Sequence, residues 1–120
     1  MDESEIVTTA QRLKDEGNVK FKEKKLREAE NLYRDGIYHM DNVKKEDEEA
    51  TKLRITLHQN LSLVLNQQGN YGQTILFCTK AIKIDAKALK AYYFRSQAYM
   101  KTKQYDEAIE DLKTAIKLNP

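Results

Sequence analysis

Tryptophan is absent from this sequence, cysteine and proline occur once each, and glycine occurs four times in 120 residues. A single cysteine forms no internal disulfide, which excludes a stapled secreted fold and sets the expectation of a reducing compartment, cytoplasmic with nuclear as the alternative. With so little proline and glycine, the turn-rich sandwiches and barrels have no punctuation to build on. Long apolar runs are missing as well, so no helix of membrane-spanning length is expected. The start, Met1-Asp2-Glu3-Ser4-Glu5, is acidic where a signal peptide is basic and then apolar. An excess of one charge is lacking too. The 21 Lys+Arg against 19 Asp+Glu leave a net charge of +2, too little and too evenly spread to make nucleic acid or an anionic membrane the partner.

What is present is an apolar period of three and four. Leu26, Ala29, Tyr33, Gly36, Ile37 and Met40 form one stripe, and Leu53, Leu57, Leu61, Val64 and Leu65 a second. Ala108, Ile109, Leu112, Ala115 and Ile116 form a third. Each is the pattern of a helix burying one face, and strand-like alternation occurs over no useful length. Breaks near Lys24-Lys25, Gly69-Asn70, Asp85-Ala86 and Lys103-Gln104 divide the chain into helices of ordinary length. Six helices are predicted, and the fold class is all-α.

The helices come in similar pairs. Ser62 and Ser96, Tyr71 and Tyr105, and Ala81 and Ala115 are each 34 residues apart, and Gly17 precedes Ser62 by 45, which is 34 plus an insertion of 11. A period of 34 with two helices per unit is the spacing of stacked helical hairpins that share one core. Small residues at 17, 62 and 96 let the paired helices approach closely. The chain resembles a tetratricopeptide-repeat (TPR) domain on Gly17, Ala29, Tyr71, Ala81, Ala108, Ala115 and Pro120. That resemblance implies a right-handed superhelical array of three helix-turn-helix repeats. Residues 1–9 are a lead-in, 10–43 repeat one, 44–54 the insertion, 55–88 repeat two and 89–120 repeat three. The insertion, rich in charge and without glycine or proline, is expected to lengthen the helices on either side of it.

In such arrays the first helix of each hairpin lines the concave side. The polar residues these helices present are Lys14 and Asn18, four apart and so on one face; Asn60, with Gln67 further on; and Lys90, followed by Gln97 and Lys101. Ammonium groups and carboxamides in one concavity suit an extended peptide ending in carboxylates, each charge-assisted bond contributing about 1.5–3 kcal/mol where water is partly excluded. The set resembles the carboxylate-clamp TPR domains of heat-shock chaperone co-factors, immunophilin-type co-chaperones among them. The resemblance implies that Lys14, Asn18, Asn60 and Lys90 bind the acidic C-terminal tails, ending Glu-Glu-Val-Asp, of the seventy- or ninety-kilodalton heat-shock chaperones. The family's fifth clamp residue, a base one turn after the lysine of repeat three, is replaced by Phe94. Arg95 follows, but a helix turns about 100° per residue, so it points away from the Lys90 face unless its long stem swings back. Phe94 instead offers a surface for an apolar peptide side chain.

The remaining chemistry-bearing residues read as structural. Cys78 lies on an apolar helix face among Ile75, Ala81 and Ile82, where an inert thiol is expected. His39 and His58 have no metal-type partner at helical spacing, and His58 falls on a packing position. Gly69-Asn70-Tyr71-Gly72 is a turn, not a phosphate loop, and the acidic pairs Glu48-Glu49 and Glu110-Asp111 lie on hydrophilic faces. No catalytic residue, metal or cofactor is assigned, and the expected function is non-catalytic protein–protein interaction. The alternative is a scaffold for a different protein partner. No helix follows Asn119-Pro120 in this sequence, so that alternative extends to a homodimer through the uncovered third repeat.

Overall fold

The computed structural model describes residues 2–120, and among these the only regular structure is six α-helices. They are α1 Glu3–Lys22, α2 Leu26–Met40, α3 Glu48–Gln67, α4 Tyr71–Ile84, α5 Leu89–Lys101 and α6 Tyr105–Leu118. The four breaks named above fall where the sequence places them, and a fifth lies at residues 41–47. The turn inside each hairpin is built the same way three times. Lys24, Gly69 and Lys103 take left-handed conformations with φ of 62°, 79° and 62°, and these positions are again 45 and 34 apart. The following amide bonds back across the turn each time: Lys25 N to Lys20 O, Asn70 N to Leu65 O and Gln104 N to Tyr99 O, at 2.9, 2.9 and 2.8 Å. This closure satisfies carbonyls that a helix end leaves orphaned, and it fixes the antiparallel return.

Helices α1 and α2, α3 and α4, and α5 and α6 pair as hairpins, which stack through α2 on α3 and α4 on α5. Backbones of α1 and α3, and of α3 and α5, also approach one another, whereas those of α2, α4 and α6 do not. The first helices are therefore the inner layer of a curved array, and α3 is its middle. Close packing depends on small residues here. A Cβ on Gly17 would stand 2.5 Å from Cε1 of Tyr33, and one on Gly36 would stand 2.9 Å from Cδ2 of Leu57. The larger apolar cluster joins α1 to α4 around the fully buried Tyr33, Met40, Leu57, Leu61 and Leu65. A smaller one, around Cys78, Ala81, Ala88 and Ala91, joins α4 to α5.

Three features depart from the sequence reading. Helix α1 begins at Glu3, inside the lead-in, because Asp2 caps it by accepting from Glu5 N at 2.8 Å and because Ile6 and Val7 pack on the core. The 44–54 segment lengthens only α3: Asp47 caps that helix through Ala50 N, and residues 41–47 remain a loop. Glu3 accepts from the loop amides of Lys45 and Lys44, at 2.9 and 3.2 Å, which holds its carboxyl below the usual range. The third apolar stripe is not core. Ala108 is buried, but Ile109, Leu112 and Ile116 are 48%, 37% and 64% exposed, because no element packs over that face of α6.

Candidate peptide-binding groove

Lys14 and Asn18 project from α1, Asn60 from α3 and Lys90 from α5, the three helices of the inner layer. Asn60 Nδ2 donates to Asn18 Oδ1 at 3.1 Å, joining the first two repeats side chain to side chain. Asn18 Oδ1 accepts a second bond, from the Tyr33 hydroxyl at 2.6 Å. Tyr33 comes from α2 and is 2% exposed, so its ring is held by the core while its hydroxyl aims one carboxamide. Burial pushes that hydroxyl up to about 12, outweighing the opposite influence of the Asn60 amide, and it remains a donor. With both lone-pair directions of Oδ1 engaged, the Nδ2 group of Asn18 is left to donate to a ligand. Two mid-helix asparagines, each costly to helix propensity, thus have a shared structural reason.

The lysines come from the outer two helices of the same layer, Lys14 one turn before Asn18 on α1 and Lys90 on α5. The Lys14 side chain is 20% exposed and its Nζ lies 3.7 Å from Asp15, an adjacent exposed carboxylate that holds it loosely. Lys90 is exposed on the first turn of α5 and makes no ion pair among the described residues. Beyond the asparagines the seam between α3 and α5 continues with Asn66 Nδ2 donating to Gln97 Oε1 at 3.2 Å. Gln97 is thereby an interhelical strut as well as a groove residue. With Asn66, Tyr71, Met100 and Lys101 it lines a hollow of about 370 Å³, and the Asn66 Oδ1 atom beside it is buried without a partner. Gln67 is exposed and stands apart from this set. The sequence does not mark Asn66 and Tyr71 as groove residues and marks Tyr33 only as core, since an aromatic at a repeat's core position gives no sign that its hydroxyl reaches Asn18.

Phe94 is half-buried against the Cys78–Ala91 cluster and stands 6.2 Å, ring to ring, from Tyr93. The suggestion that Arg95 swings back beside Lys90 is corrected by the structure. Its Nη2 and Nε donate to the two oxygens of Asp111 at 2.7 and 2.8 Å, and Nη1 donates to Thr79 Oγ1 at 3.1 Å. Its guanidinium also lies 5.7 Å from each of the Tyr92 and Tyr99 rings. The Arg95 and Asp111 side chains are only 17% and 6% exposed. Arg95 is therefore an internal tie of α5 to α4 and α6. The groove's cations are Lys14, Lys90 and Lys101, none of them at the fifth position.

Away from the groove, Cys78 is fully buried, and burial pushes its thiol up to about 11 despite the opposing Ser62 bond. His58 is buried beside Phe77 at 6.0 Å, with Nδ1 against Arg54 O at 2.7 Å. Among the described residues no cluster of three or more His, Cys, Asp or Glu is placed to hold a metal, and no helix is long and apolar enough to cross a membrane.

Known proteins share the fold. Family profiles described as tetratricopeptide repeat match residues 55–87 and 89–120. The C-terminal TPR-containing domain of a Plasmodium falciparum putative FK506-binding protein superposes with a TM-score of 0.91 at 29% identity, over 100% of this chain and 83% of that one. The second TPR of Spaghetti (RPAP3), solved bound to the HSP90 peptide SRMEEVD, superposes with a TM-score of 0.83 at 26% identity, over 98% of this chain and 93% of the other. FK506-binding protein 5 of Rhizopus delemar is 32% identical over 123 residues, covering 96% of this chain and 32% of its own length. This chain spans between 11% and 32% of the length of the curated relatives it matches. The similarity thus concerns one helical-repeat region within larger proteins.

Proposed function

Because the chain belongs to the tetratricopeptide-repeat family, we propose that it is a non-catalytic adaptor whose inner groove holds the acidic C-terminal peptide of a heat-shock chaperone. The ninety-kilodalton class is the first choice, since the similar RPAP3 domain is bound to an HSP90 peptide. The observation that carries the reading is the Asn18–Asn60 carboxamide pair, cross-braced by Tyr33, on the same inner helices that carry Lys14 and Lys90. Lys14 and the two asparagines meet the terminal carboxylate, and Lys90 meets a carboxylate side chain nearby. Phe94 leaves the groove with an apolar surface where the clamp family has a base, so the affinity is expected to lie about ten- to a hundred-fold below that of a five-residue clamp. With such a chaperone tail as partner, the proposed site of action is the cytoplasm, with the nucleus as the alternative.

Calorimetric titration with a peptide ending Glu-Glu-Val-Asp tests the reading. Binding of the free acid and loss of most of the affinity on amidating its C-terminus are expected. Lys14→Ala and Lys90→Ala are each expected to weaken binding about tenfold or more with the fold retained by circular dichroism. Equal binding of acid and amide, or of neither by a folded domain, overturns the clamp.

A further inference from the structure

We propose that the hairpin-turn end of the inner layer is a cationic rim, which binds acidic side chains further upstream in the same peptide whose terminus the groove holds. The inference rests on the clamp reading for the position of that terminus. The fold sorts charges that the sequence interleaves. Residues 20–27, which cross the first turn, carry Lys20, Lys22, Lys24, Lys25 and Arg27 against the single acid Glu23. Residues 101–104, across the third turn, carry Lys101 and Lys103 and no acid, and the second turn, Gln67-Gln68-Gly69-Asn70, is uncharged. The other end of the layer is set the opposite way. Residues 2–5 and 44–52, at the starts of α1 and α3, hold seven acids against three lysines. Glu3 accepts from the amides of Lys44 and Lys45, so these two segments lie together. At the start of α5, Asp85 stands with Lys87 and Lys90.

The rim belongs to the groove by register. Lys22, Gln67 and Lys101 are 45 and 34 residues apart, so the repeat puts them at one level of α1, α3 and α5. Lys101 also lines the hollow beside Gln97 and Asn66. Lys22, Lys24, Lys101 and Lys103 are exposed and make no ion pair among the described residues, while Glu23 is engaged by Lys20 at 3.9 Å and by Lys25 at 3.5 Å. Of the acids that open the second helices, Glu28 reaches Lys20 at 3.4 Å, and Asp106 and Glu107 line a separate hollow with Arg95 and Asp111. The negative end of a helix dipole favours lysine in the last turn, which accounts for Lys22 and Lys101. It does not account for Lys24, Lys25 and Lys103, which lie past the helix ends, and α3 ends without any base. A peptide whose terminal carboxylate sits at Asn18 and Asn60 therefore leaves by the turn end, away from the acids at the helix starts. Gln67 lies about 10 Å beyond Asn60 along α3, and an extended peptide advances about 3.3 Å per residue. The rim is thus reached about three residues before the terminus, and acids about four to eight residues upstream pass over it. These contacts are exposed, so they act as a field that salt screens.

Calorimetric titration with two peptides tests the proposal: Glu-Ser-Glu-Ser-Glu-Glu-Glu-Val-Asp, and the same sequence with glutamine for its first three glutamates. At about 20 mM salt the acidic peptide is expected to bind at least about fivefold tighter, and at about 0.5 M salt the two are expected to converge. In the triple variant Lys22→Gln, Lys24→Gln, Lys103→Gln, all at exposed positions, the advantage is expected to disappear while the glutamine peptide binds as before. The glutamine peptide and its loss of affinity on C-terminal amidation report the clamp, and the ratio between the peptides reports the rim. Equal affinities of two peptides that both need the free carboxylate overturn the rim and leave the clamp standing. An advantage that survives the triple variant overturns it too, since the acids then bind elsewhere. A preference that the triple variant abolishes but amidation does not touch keeps the rim and overturns the clamp, and binding of neither peptide overturns both. Equal binding of the peptides, with a single-stranded oligonucleotide held through the same three lysines, makes the rim a nucleic-acid surface and overturns the proposal.

Discussion

Tyr33 shows how a core residue reaches into the groove. Its ring fills the space that Gly17 leaves, its hydroxyl orients Asn18, and Asn18 in turn accepts from Asn60. Tyr33→Phe keeps the ring and removes only the aim, so it is expected to cost about 1 kcal/mol of stability and several-fold in peptide affinity, read by thermal melts and calorimetry. Gly17→Ala acts on the same contact from the other side, and because Tyr33 is fully buried the ring has nowhere to move. His58 gives a pH dependence. Burial lowers its pKa from the ordinary 6.5, against the opposing pull of the Arg54 carbonyl. The unfolded chain takes up the proton near 6.5 and the folded chain only further below. Stability is thus complete above 6.5 and is lost as the pH falls from there toward the folded value. Melting temperatures between about pH 7 and pH 5.5 are expected to decline in the parent and to decline less in His58→Phe. Cys78, raised to about 11 and fully buried, is expected to resist alkylation until denaturant is added.

At the scale of the helix, the three left-handed turn positions are chemically unequal. Gly69 meets no steric cost at φ 79°, while Lys24 and Lys103 occupy φ 62° with a Cβ. Lys24→Gly and Lys103→Gly are each expected to stabilise by about 0.5–1 kcal/mol, the left-handed penalty less the entropy that glycine adds to the unfolded chain, while Gly69→Ala destabilises by a similar amount. Thermal denaturation of the three single variants decides it, since equal melting temperatures would mean that the turns carry no strain. These turns were legible in the sequence as breaks because polar residues interrupt the apolar period at each of them. Their left-handed geometry was legible only at Gly69, as lysine is no signal for it. Helix starts were less readable. The Asp2 cap on Glu5 N is local, but the reach of Glu3 to the 44–45 amides depends on a loop that returns from residue 40 onward, and no local pattern encodes that return. The partner of Arg95 was hidden for the same reason, since Asp111 lies sixteen residues away on another helix.

For the molecule as a whole, the array's stability is a sum of hairpins and the interfaces between them, and the two ends are not equivalent. The 34-residue period made the stack legible, together with which helices form the inner layer. A period cannot tell whether a face has a neighbour, and so the third stripe reads as core although most of it meets water. Helix α3 touches α1, α2, α4 and α5 and contributes Leu57, Leu61, Val64 and Leu65, each 0% exposed. Helix α6 touches only α5, with Ala108 and Asp111 as its buried residues. What holds α6 from the side is the Arg95–Asp111 pair, because removing one partner of so enclosed a pair leaves a charge uncompensated. Asp111→Ala is therefore expected to cost roughly 3 kcal/mol, concentrated in the last hairpin. Native-state hydrogen exchange locates the loss. In the parent, amides of α6 are expected to exchange fastest and those of α3 slowest, by opening of the third hairpin rather than of the whole chain. Asp111→Ala is expected to speed α6 and α5 while leaving α3 nearly unchanged. Uniform acceleration of all six helices would show instead that the array unfolds as one unit and that the Arg95 tie is shared by every repeat.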